Sequence, residues 1–183
     1  MYKRQDPERL SETIRYLIKP DKIAPDQSPP FVQIEIASLE PLDILMVRTE
    51  DVYPDLAGTY NHLFELVGGP QNVKAVLGLP HRDVETYEDS GFVFDAALAP
   101  HTSVPMTSDS VGVELLEGQL YLLAQHKGQD TDLPITLDAL YSHILMCPDI
   151  GLADAPCVHH YIDDPEEITE ADCRTDIYVP ITA

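Results

Sequence analysis

Positive charge and tryptophan are scarce in this sequence. It contains no tryptophan and only 11 lysines and arginines against 32 aspartates and glutamates, which gives a formal net charge of −21. Such an acidic surface repels the phosphates of nucleic acids, so direct binding to DNA or RNA is not expected. Cationic small molecules or a basic protein surface are favoured as partners, although the charge can equally serve solubility alone.

Long hydrophobic runs and a signal sequence are also missing. No apolar run approaches the roughly 20 residues that a membrane-spanning helix needs, and residues 1–6 lack the apolar core of a signal peptide. The three cysteines, Cys147, Cys157 and Cys173, are an odd number without the spacing of a disulfide framework. We therefore predict a cytoplasmic protein with reduced thiols and no membrane partner.

Charge and proline divide the chain into an arm and a body. Residues 1–30 hold six of the 11 basic residues against five acids, whereas residues 31–183 hold five basic residues against 27 acids. Residues 6–18 are predicted to form a helix, because their apolar residues recur on one face. Four prolines between residues 19 and 30 predict a linker. We expect an N-terminal helix and a proline-rich linker over 1–30, and a single domain over 31–183.

The body repeats one pattern of elements. Alternating apolar residues predict strands, and apolar stripes at helical spacing predict helices. The first half, about residues 31–104, is predicted to contain a hairpin over 31–49, a helix near 54–67, and strands near 75–79 and 92–98. The second half, about residues 105–183, is predicted to contain a hairpin over 111–125, a helix over 132–146, and strands near 157–162 and 174–181. Each half is therefore a strand-strand-helix-strand-strand unit.

Sliding the chain along itself supports a duplication. A shift of 77 residues places Asp55 on Asp132 without a gap, and a four-residue insertion then places Asp95 on Asp176. Internal repetition is strong evidence about architecture. We predict an α+β fold of two duplicated units related by a pseudo-twofold axis, with two antiparallel sheets, helices packed on them and a central groove. Clefts between repeats are common ligand sites.

The two predicted closing strands carry polar and aromatic residues in pairs. Residues two apart in a strand share a face, so His159 and Tyr161 point one way, and so do Asp176 and Tyr178. We predict that these four side chains form a wall of a small-molecule site. The alternatives are a locally satisfied histidine, core tyrosines with their hydroxyls at the edge, and aspartates that accept backbone hydrogen bonds. Burial of Asp176, or of its match Asp95, near the axis would raise its pKa.

Five stretches of the second half, in this order and spacing, carry a resemblance to a known family. They are His126-Lys127-Gly128, Leu140-Tyr141, Gly151-Leu152-Ala153-Asp154-Ala155-Pro156, Tyr161-Ile162-Asp163-Asp164-Pro165, and Arg174-Thr175-Asp176-Ile177-Tyr178-Val179-Pro180-Ile181. Together they resemble the GyrI-like, AraC-type effector-binding domain. That domain is a small-molecule module found behind helix-turn-helix domains of transcription regulators and also as a free-standing protein.

The resemblance implies binding of hydrophobic, often cationic, small molecules, in the multidrug-binding manner, in the groove between the repeats. Aromatic rings stack on such a ligand and a carboxylate offsets its charge. The family often has a groove-facing Tyr just before the first helix, where Tyr53 lies. Phe94, on the strand that matches the strand of Tyr178, either lines the groove or packs in the core. The candidate ligand-binding residues are Tyr53, Phe94, His159, Tyr161, Asp176 and Tyr178.

The sequence departs from the family near the expected site. The Glu that usually stands two residues before the Tyr of the first closing strand is His159 here, and the Tyr common after His-Lys-Gly-x is Asp130. The charge-neutralising role therefore cannot be carried over to His159, and Asp176 or the acidic rim is the expected substitute. The same change argues against the hydrolysis of strained substrates that some members perform.

Other chemistries find no pattern in the sequence. The cysteines and histidines between residues 157 and 173 match no closed zinc pattern, and no catalytic triad or phosphate loop can be defended from spacing. We predict no catalytic residue, no metal and no cofactor. The predicted function is non-enzymatic binding of small molecules by a stand-alone module. The alternatives are an acidic protein-interaction inhibitor of the gyrase-inhibitor type, and a small-molecule hydrolase of the same fold.

Overall fold

The computed structural model of the protein describes residues 14–16, 32–49, 56–81, 93–102, 111–165 and 167–183. The strands are β1 (Ile14–Tyr16), β2 (Val32–Ser38), β3 (Leu42–Thr49), β4 (Val73–Pro80), β5 (Phe94–Pro100), β6 (Gly112–Leu116), β7 (Leu120–Lys127), β8 (Gly151–Leu152), β9 (Val158–Tyr161) and β10 (Arg174–Thr182). The helices are α1 (Leu56–Val67) and α2 (Leu133–Met146), and short 3-10 turns at Pro70–Asn72 and Asp130–Asp132 precede β4 and α2. Neither helix in this part of the chain has the length and the hydropathy needed to cross a membrane.

The strands join into one sheet, in the order β1-β2-β7-β10-β9-β4-β5-β3-β6, with β8 paired to the end of β10. Every pairing is antiparallel, which confirms the predicted type of sheet. Two separate sheets were predicted, but β4 and β9 connect them: Val76 lies opposite Tyr161, and Gly78 lies opposite His159. If β4 and β9 did not pair, the edges of two separate sheets would leave backbone N–H and C=O groups unpaired here. The pairing of β4 with β9 satisfies these groups.

The first strand of each half pairs with the other half. β2 pairs with β7, and β6 pairs with β3, so the hairpins predicted over residues 31–49 and 111–125 are wrong. Neither connection contains the Asn-Gly or Asp-Gly pair that closes a tight hairpin. Instead the connections lie side by side, where Leu39 donates its N–H to the carbonyl of Gln119 at 3.1 Å. Apart from β1, the strand order is therefore symmetrical about the centre of the sheet. It reads β2-β7-β10-β9 from one edge and β6-β3-β5-β4 from the other.

The N-terminal arm contributes one described strand. Ile14–Tyr16 lies along β2, with Ile14 opposite Ile34, so the helix predicted over residues 6–18 is wrong for these three residues. The physical reason is that β2 has an open edge, whose unpaired backbone groups bind an extended segment. The rest of the predicted helix, and the proline-rich linker, lie outside the described residues.

The helices cover one face of the sheet. In the first half, α1 buries Leu63 and Val67 against Ala96 and Leu98 of β5. In the second half, α2 packs against the side of the sheet formed by β2, β7 and β10. The side chains buried there include Ile34, Leu122, Ala124, Leu140, Ile144, Ile177 and Val179. Both helices predicted from the apolar stripes are therefore present, and each packs on its own end of the sheet.

A second apolar cluster lies on the opposite face and unites the halves. Alternation along a strand places neighbouring residues on opposite faces, so Ala97 points away from α1 while Ala96 points toward it. The buried side chains of this cluster are Ile44, Met46, Leu77, Leu79, Ala97, Ala99, Leu116, Tyr121, Val158 and Tyr178. Because both halves contribute, the cluster stabilises their relative arrangement.

Replacement of Gly118 by alanine should test the close approach of the two connections, residues 39–41 and 117–119. A Cβ at Gly118 would lie 2.8 Å from both the carbonyl oxygen of Leu39 and Cδ of Pro41. These are backbone and ring atoms that cannot swing aside, so we expect Gly118→Ala to lower the free energy of unfolding by about 1–3 kcal/mol. Urea denaturation of the purified protein measures this change.

Gly112→Ala is the matched control. Its Cβ would meet Cγ of Met46 at an ordinary 3.4 Å, so its effect should stay within about 0.5 kcal/mol. Equal effects of the two substitutions on the free energy of unfolding would contradict the close approach of the two connections at Gly118.

Candidate functional site

The centre of the sheet lies between the two helices. α1 packs on β5 and β3 and α2 packs on β7 and β2, whereas β4 and β9 pair in the middle of the strand order. On the helix-bearing face of this pair, Gly78 is flanked by Ala96 and His159, and Val76 is flanked by Leu98 and Tyr161. The groove that the repeat predicts between the halves would have these strands as its base.

The four predicted wall residues do not share a surface. His159 lies opposite Ile177, which points into the core beneath α2, so His159 and Tyr161 face the helices. Asp176 and Tyr178 alternate with Ile177 and therefore face the other way. The two-residue spacing paired the side chains correctly within each strand. The register between β9 and β10 turns the two pairs to opposite faces, since a shift of one residue inverts the face.

Three aromatic rings and one imidazole meet on the helix-bearing face, and we call Tyr60, Phe94, His159 and Tyr161 the aromatic floor. Tyr60 reaches it from α1, its ring standing edge-on to Tyr161 with centroids 6.2 Å apart and planes at 84°. The hydroxyl of Tyr60 donates a 2.7 Å hydrogen bond to the carbonyl of Leu77, which anchors α1 to the central strand. Edge-to-face pairs of this kind are favourable beyond their buried area.

Gly78 makes room for the aromatic floor. A Cβ at this position would lie 2.9 Å from the hydroxyl oxygen of Tyr161 and would overlap the ring of Phe94. Glycine inside a strand often marks such a close approach. Phe94 and Tyr161 therefore meet above a bare stretch of backbone, and of the two only Phe94 is fully buried, at 3% exposed.

His159 is the polar member of the aromatic floor. It is only 6% exposed, and burial, followed by the repulsion of His126, lowers its pKa to about 4. The imidazole is therefore neutral at pH 7. Its Nε2 atom has no hydrogen-bond partner among the residues that the structure describes.

The two tyrosines are neutral as well, and they lie in the field of Asp130. Burial raises the pKa of Tyr161 above its ordinary value, and the carboxylate of Asp130 raises it further. The pKa of Tyr60 is raised first by burial, then by Tyr161, and finally by Asp130. Asp130 is exposed and begins the 3-10 turn before α2. It is thus the carboxylate whose charge reaches both rings.

Asp176 and Tyr178 occupy the opposite face. Asp176 accepts a 2.8 Å hydrogen bond from Nε2 of Gln125, and Tyr178 stands edge-on to Tyr121 with ring centroids 5.9 Å apart. Tyr178 belongs to the apolar cluster that joins the halves. Both residues are therefore already engaged, and neither contributes to the aromatic floor.

Asp95, the repeat match of Asp176, is a buried ion-pair partner. It is 1% exposed and accepts two hydrogen bonds of 2.9 Å from the guanidinium of Arg48, and His81 also contacts its carboxylate. Burial alone would raise the pKa of Asp95, but the hydrogen bonds and charges of Arg48 and His81 outweigh burial and hold the pKa below its usual value. The raised pKa considered from the sequence is wrong for Asp95.

The Asp95 pair should control acid stability. Because its pKa is lowered on folding, Asp95 stabilises the fold fully above the unfolded-state value of 3.8, and this contribution is lost as the pH falls through the lower folded value. At pH 7 we expect Asp95→Asn to lower the free energy of unfolding by about 2–3 kcal/mol. Denaturation across a pH series should show this difference shrinking below pH 3.8.

Asp176→Asn is the matched control for Asp95→Asn. Its partner Gln125 is uncharged, so the loss should stay below about 1 kcal/mol. A pH-independent difference for Asp95→Asn, or an equal loss at the two sites, would contradict the ionic role of Asp95.

The structure adds residues to the candidate site, turns Asp176 and Tyr178 away from it, and leaves one predicted residue undescribed. Tyr60 lies on the apolar stripe of the helix predicted near 54–67, and nothing in its spacing distinguishes it from a core residue. Gly78 carried a usable signal, because an isolated glycine within a predicted strand indicates close packing. Asp130 was noticed only as a departure from the family. Tyr53 lies outside the described residues.

No group of three or more His, Cys, Asp and Glu side chains in the described segments is arranged to hold a metal ion. The aromatic floor offers neutral aromatic rings, one neutral imidazole and the nearby carboxylate of Asp130. Such a surface suits stacking and hydrogen bonding to a small molecule.

Comparison with known proteins identifies relatives over most of the chain. The family described as GyrI-like small molecule binding domain matches residues 32–182. The probable transcriptional regulator YgiV of Escherichia coli strain K12 is 29% identical over 112 residues, which make up 61% of this chain and 70% of YgiV.

Solved structures share the fold at low identity. The C-terminal domain of EcmrR has a TM-score of 0.65 at 14% identity, covering 82% of this chain and 98% of that chain. A hydrolase encoded by lin2189 from Listeria innocua has a TM-score of 0.59 at 12% identity, covering 81% and 91%. SAV2435 bound to tetraphenylphosphonium has a TM-score of 0.55 at 14% identity, covering 82% and 94%. At these identities the likeness concerns the fold alone.

Proposed function

Because the chain belongs to the family of GyrI-like small molecule binding domains, as its sequence resemblance predicted, we propose that it binds hydrophobic, cationic small molecules over the aromatic floor. The observation that carries this proposal is the meeting of Tyr60, Phe94 and Tyr161 above Gly78, at the junction of the two halves. Because Gly78 has no side chain, the three rings form the surface at this point. Ligand sites are typically lined by apolar and aromatic side chains with few polar groups.

A lipophilic cation fits the electrostatics of this surface. Cations are attracted to the faces of aromatic rings, and both tyrosines are held in the uncharged form. The net charge of −21 draws positive molecules toward the protein as a whole. SAV2435, which shares the fold, binds tetraphenylphosphonium, a compound of this chemical class.

The charge of the ligand is offset at the rim of the site in this proposal. Asp176 points to the other face, and Asp95 is already paired with Arg48, so neither supplies a carboxylate to the aromatic floor. Asp130 remains as the acid whose charge reaches both tyrosines. An exposed carboxylate attracts a cation more weakly than a buried one, so we expect shape and hydrophobicity to dominate affinity.

We also infer that the two halves are duplicated units whose first strands have exchanged. The symmetrical strand order supports this inference. So do two cross-strand pairs at repeat-equivalent positions: Arg48 lies opposite Asp95, and Gln125 lies opposite Asp176. A groove on the pseudo-twofold axis would then have the central strands β4 and β9 as its floor.

The proposed role is a non-enzymatic module that binds an effector or a drug, with the arm over residues 1–30 attached to a single domain over 31–183. YgiV, a probable transcriptional regulator, is a precedent for a regulatory context. The hydrolase alternative has a precedent in the fold of the Listeria innocua protein. Against it, the residue two before Tyr161 is His159 rather than the usual Glu, and its imidazole is neutral. The acidic inhibitor alternative rests on the net charge alone.

Tetraphenylphosphonium tests the site through a pair of matched variants. Tyr161→Leu removes a ring of the aromatic floor, whereas Tyr178→Leu removes a ring from the opposite face of the neighbouring strand. We expect titration calorimetry to show about tenfold weaker binding for Tyr161→Leu, the loss of one cation–ring contact, and unchanged binding for Tyr178→Leu.

Unchanged binding for Tyr161→Leu and weaker binding for Tyr178→Leu would place the site on the other face of the sheet. Failure of the unmodified protein to bind tetraphenylphosphonium and related lipophilic cations, together with binding to a basic protein, would overturn the proposal in favour of the acidic inhibitor.

Asp130→Asn tests the origin of the charge preference. It should weaken binding of tetraphenylphosphonium about two- to threefold at low ionic strength, and the difference should vanish in high salt. Asp43→Asn, which removes the same charge from an exposed position on β3, away from the central strands β4 and β9, is the control. An equal effect of both substitutions would assign the attraction to net charge rather than to Asp130.

A further inference from the structure

One buried polar atom on the helix-bearing face is left without a partner. Nε2 of His159 makes no hydrogen bond to any residue that the structure describes, although the side chain is only 6% exposed. Buried polar atoms in folded proteins nearly always have a partner, and an unpaired one costs free energy that a hydrophobic side chain of similar size would not. An unpaired atom in the middle of the sheet therefore calls for an explanation.

The neighbours of His159 offer it no hydrogen bond. Its cross-strand partners are Gly78 and Ile177, and neither has a polar side chain. His126, the other imidazole on this face, is engaged at both ring nitrogens, with the hydroxyl of Thr136 at 2.9 Å and the carbonyl of Gln129 at 3.1 Å. The two histidines therefore differ in kind, because His126 is a satisfied structural residue and His159 is not.

We propose that Nε2 of His159 is the hydrogen-bonding point of the ligand site. It would select hydrophobic ligands that carry a hydroxyl or N–H group over isosteric ligands that carry only carbon at the same place. This inference rests on the proposed function, and it assigns to His159 a role in specificity rather than in charge neutralisation. The aromatic floor supplies the apolar contacts of such a ligand, and His159 supplies the single directional one.

The chemical state of His159 suits this role. The neutral imidazole can donate or accept at Nε2, depending on its tautomer, and it does not repel a cation. Burial keeps it neutral down to acidic pH, since its pKa is about 4. A site that hydrogen-bonds a ligand group discriminates strongly against an analogue lacking that group, because the buried partner is then left unpaired.

Two matched pairs of probes separate this role from general hydrophobic binding. They are tetraphenylphosphonium cations in which one ring carries either a hydroxyl or a methyl group, each prepared as meta and para isomers. The hydroxyl and methyl groups are similar in size, and the permanent charge is the same. Titration calorimetry of the unmodified protein should give at least one isomer for which the hydroxyl compound binds about fivefold more tightly, as expected for one net hydrogen bond.

His159→Leu and His159→Gln complete the experiment. Leucine should abolish the preference for the hydroxyl compound over the methyl compound, and glutamine, which keeps a polar side chain, should retain part of the preference. Because leucine at this position could disturb folding, ¹⁵N spectra of histidine-labelled unmodified protein give a second measurement. The Nε2 resonance of His159 should shift with the hydroxyl probe and much less with the methyl probe.

The outcomes distinguish this inference from the proposed function. Equal affinity of the unmodified protein for both members of every isomer pair, or the same preference in His159→Leu, would overturn the role of His159 and leave the aromatic floor as the binding site. If none of the four probes binds, the proposed function itself is overturned.

Discussion

The pairing of β4 with β9 is the contact on which the rest of the molecule depends. It spans only three residue pairs, from Val76 and Tyr161 to Gly78 and His159, yet it converts two half-sheets into one. The same pairing brings Phe94 and Tyr60 from the first half against Tyr161 from the second. The side chains proposed to bind ligand are therefore those that stand at the seam between the halves, and any change in the pairing would change the site.

The seam also separates two electrostatic environments. On the helix-bearing face, burial keeps tyrosines and a histidine uncharged, and Asp130, whose charge reaches both tyrosines, is exposed. On the opposite face, Asp95 is ionised and held by Arg48. Charges inside a protein are tolerated when they are paired. The fold thus keeps the ion pair of Asp95 and Arg48 on the opposite face of the sheet from the aromatic floor.

Local patterns predicted most elements, and long-range pairing limited the rest. Apolar stripes located α1 and α2, and alternation located β4, β5, β9 and β10, because these signals depend on neighbouring residues only. The exchange of β2 and β6 depends on contacts such as Leu39 with Gln119, which no local pattern encodes.

The candidate site was predicted only in part, because it too depends on pairing between residues distant in sequence. Spacing within a strand paired His159 with Tyr161, and the family resemblance singled out position 159 as unusual. The register between β9 and β10, which separates that pair from Asp176 and Tyr178, depends on contacts distant in sequence. Tyr60 could not be told from a core residue until the packing of α1 against Leu77 was known.

The exchanged first strands have a consequence for how the chain comes to fold. β2 leaves the ribosome long before β7, the strand that covers its inner edge, and Ile34 must wait for Ala124. Neither half can complete its own part of the sheet, so we expect neither half to be stable as a separate fragment. Contacts this distant in sequence also slow folding. During synthesis the nascent first half presents an uncovered strand edge, which is the kind of surface that chaperones shield and that mispairs between chains.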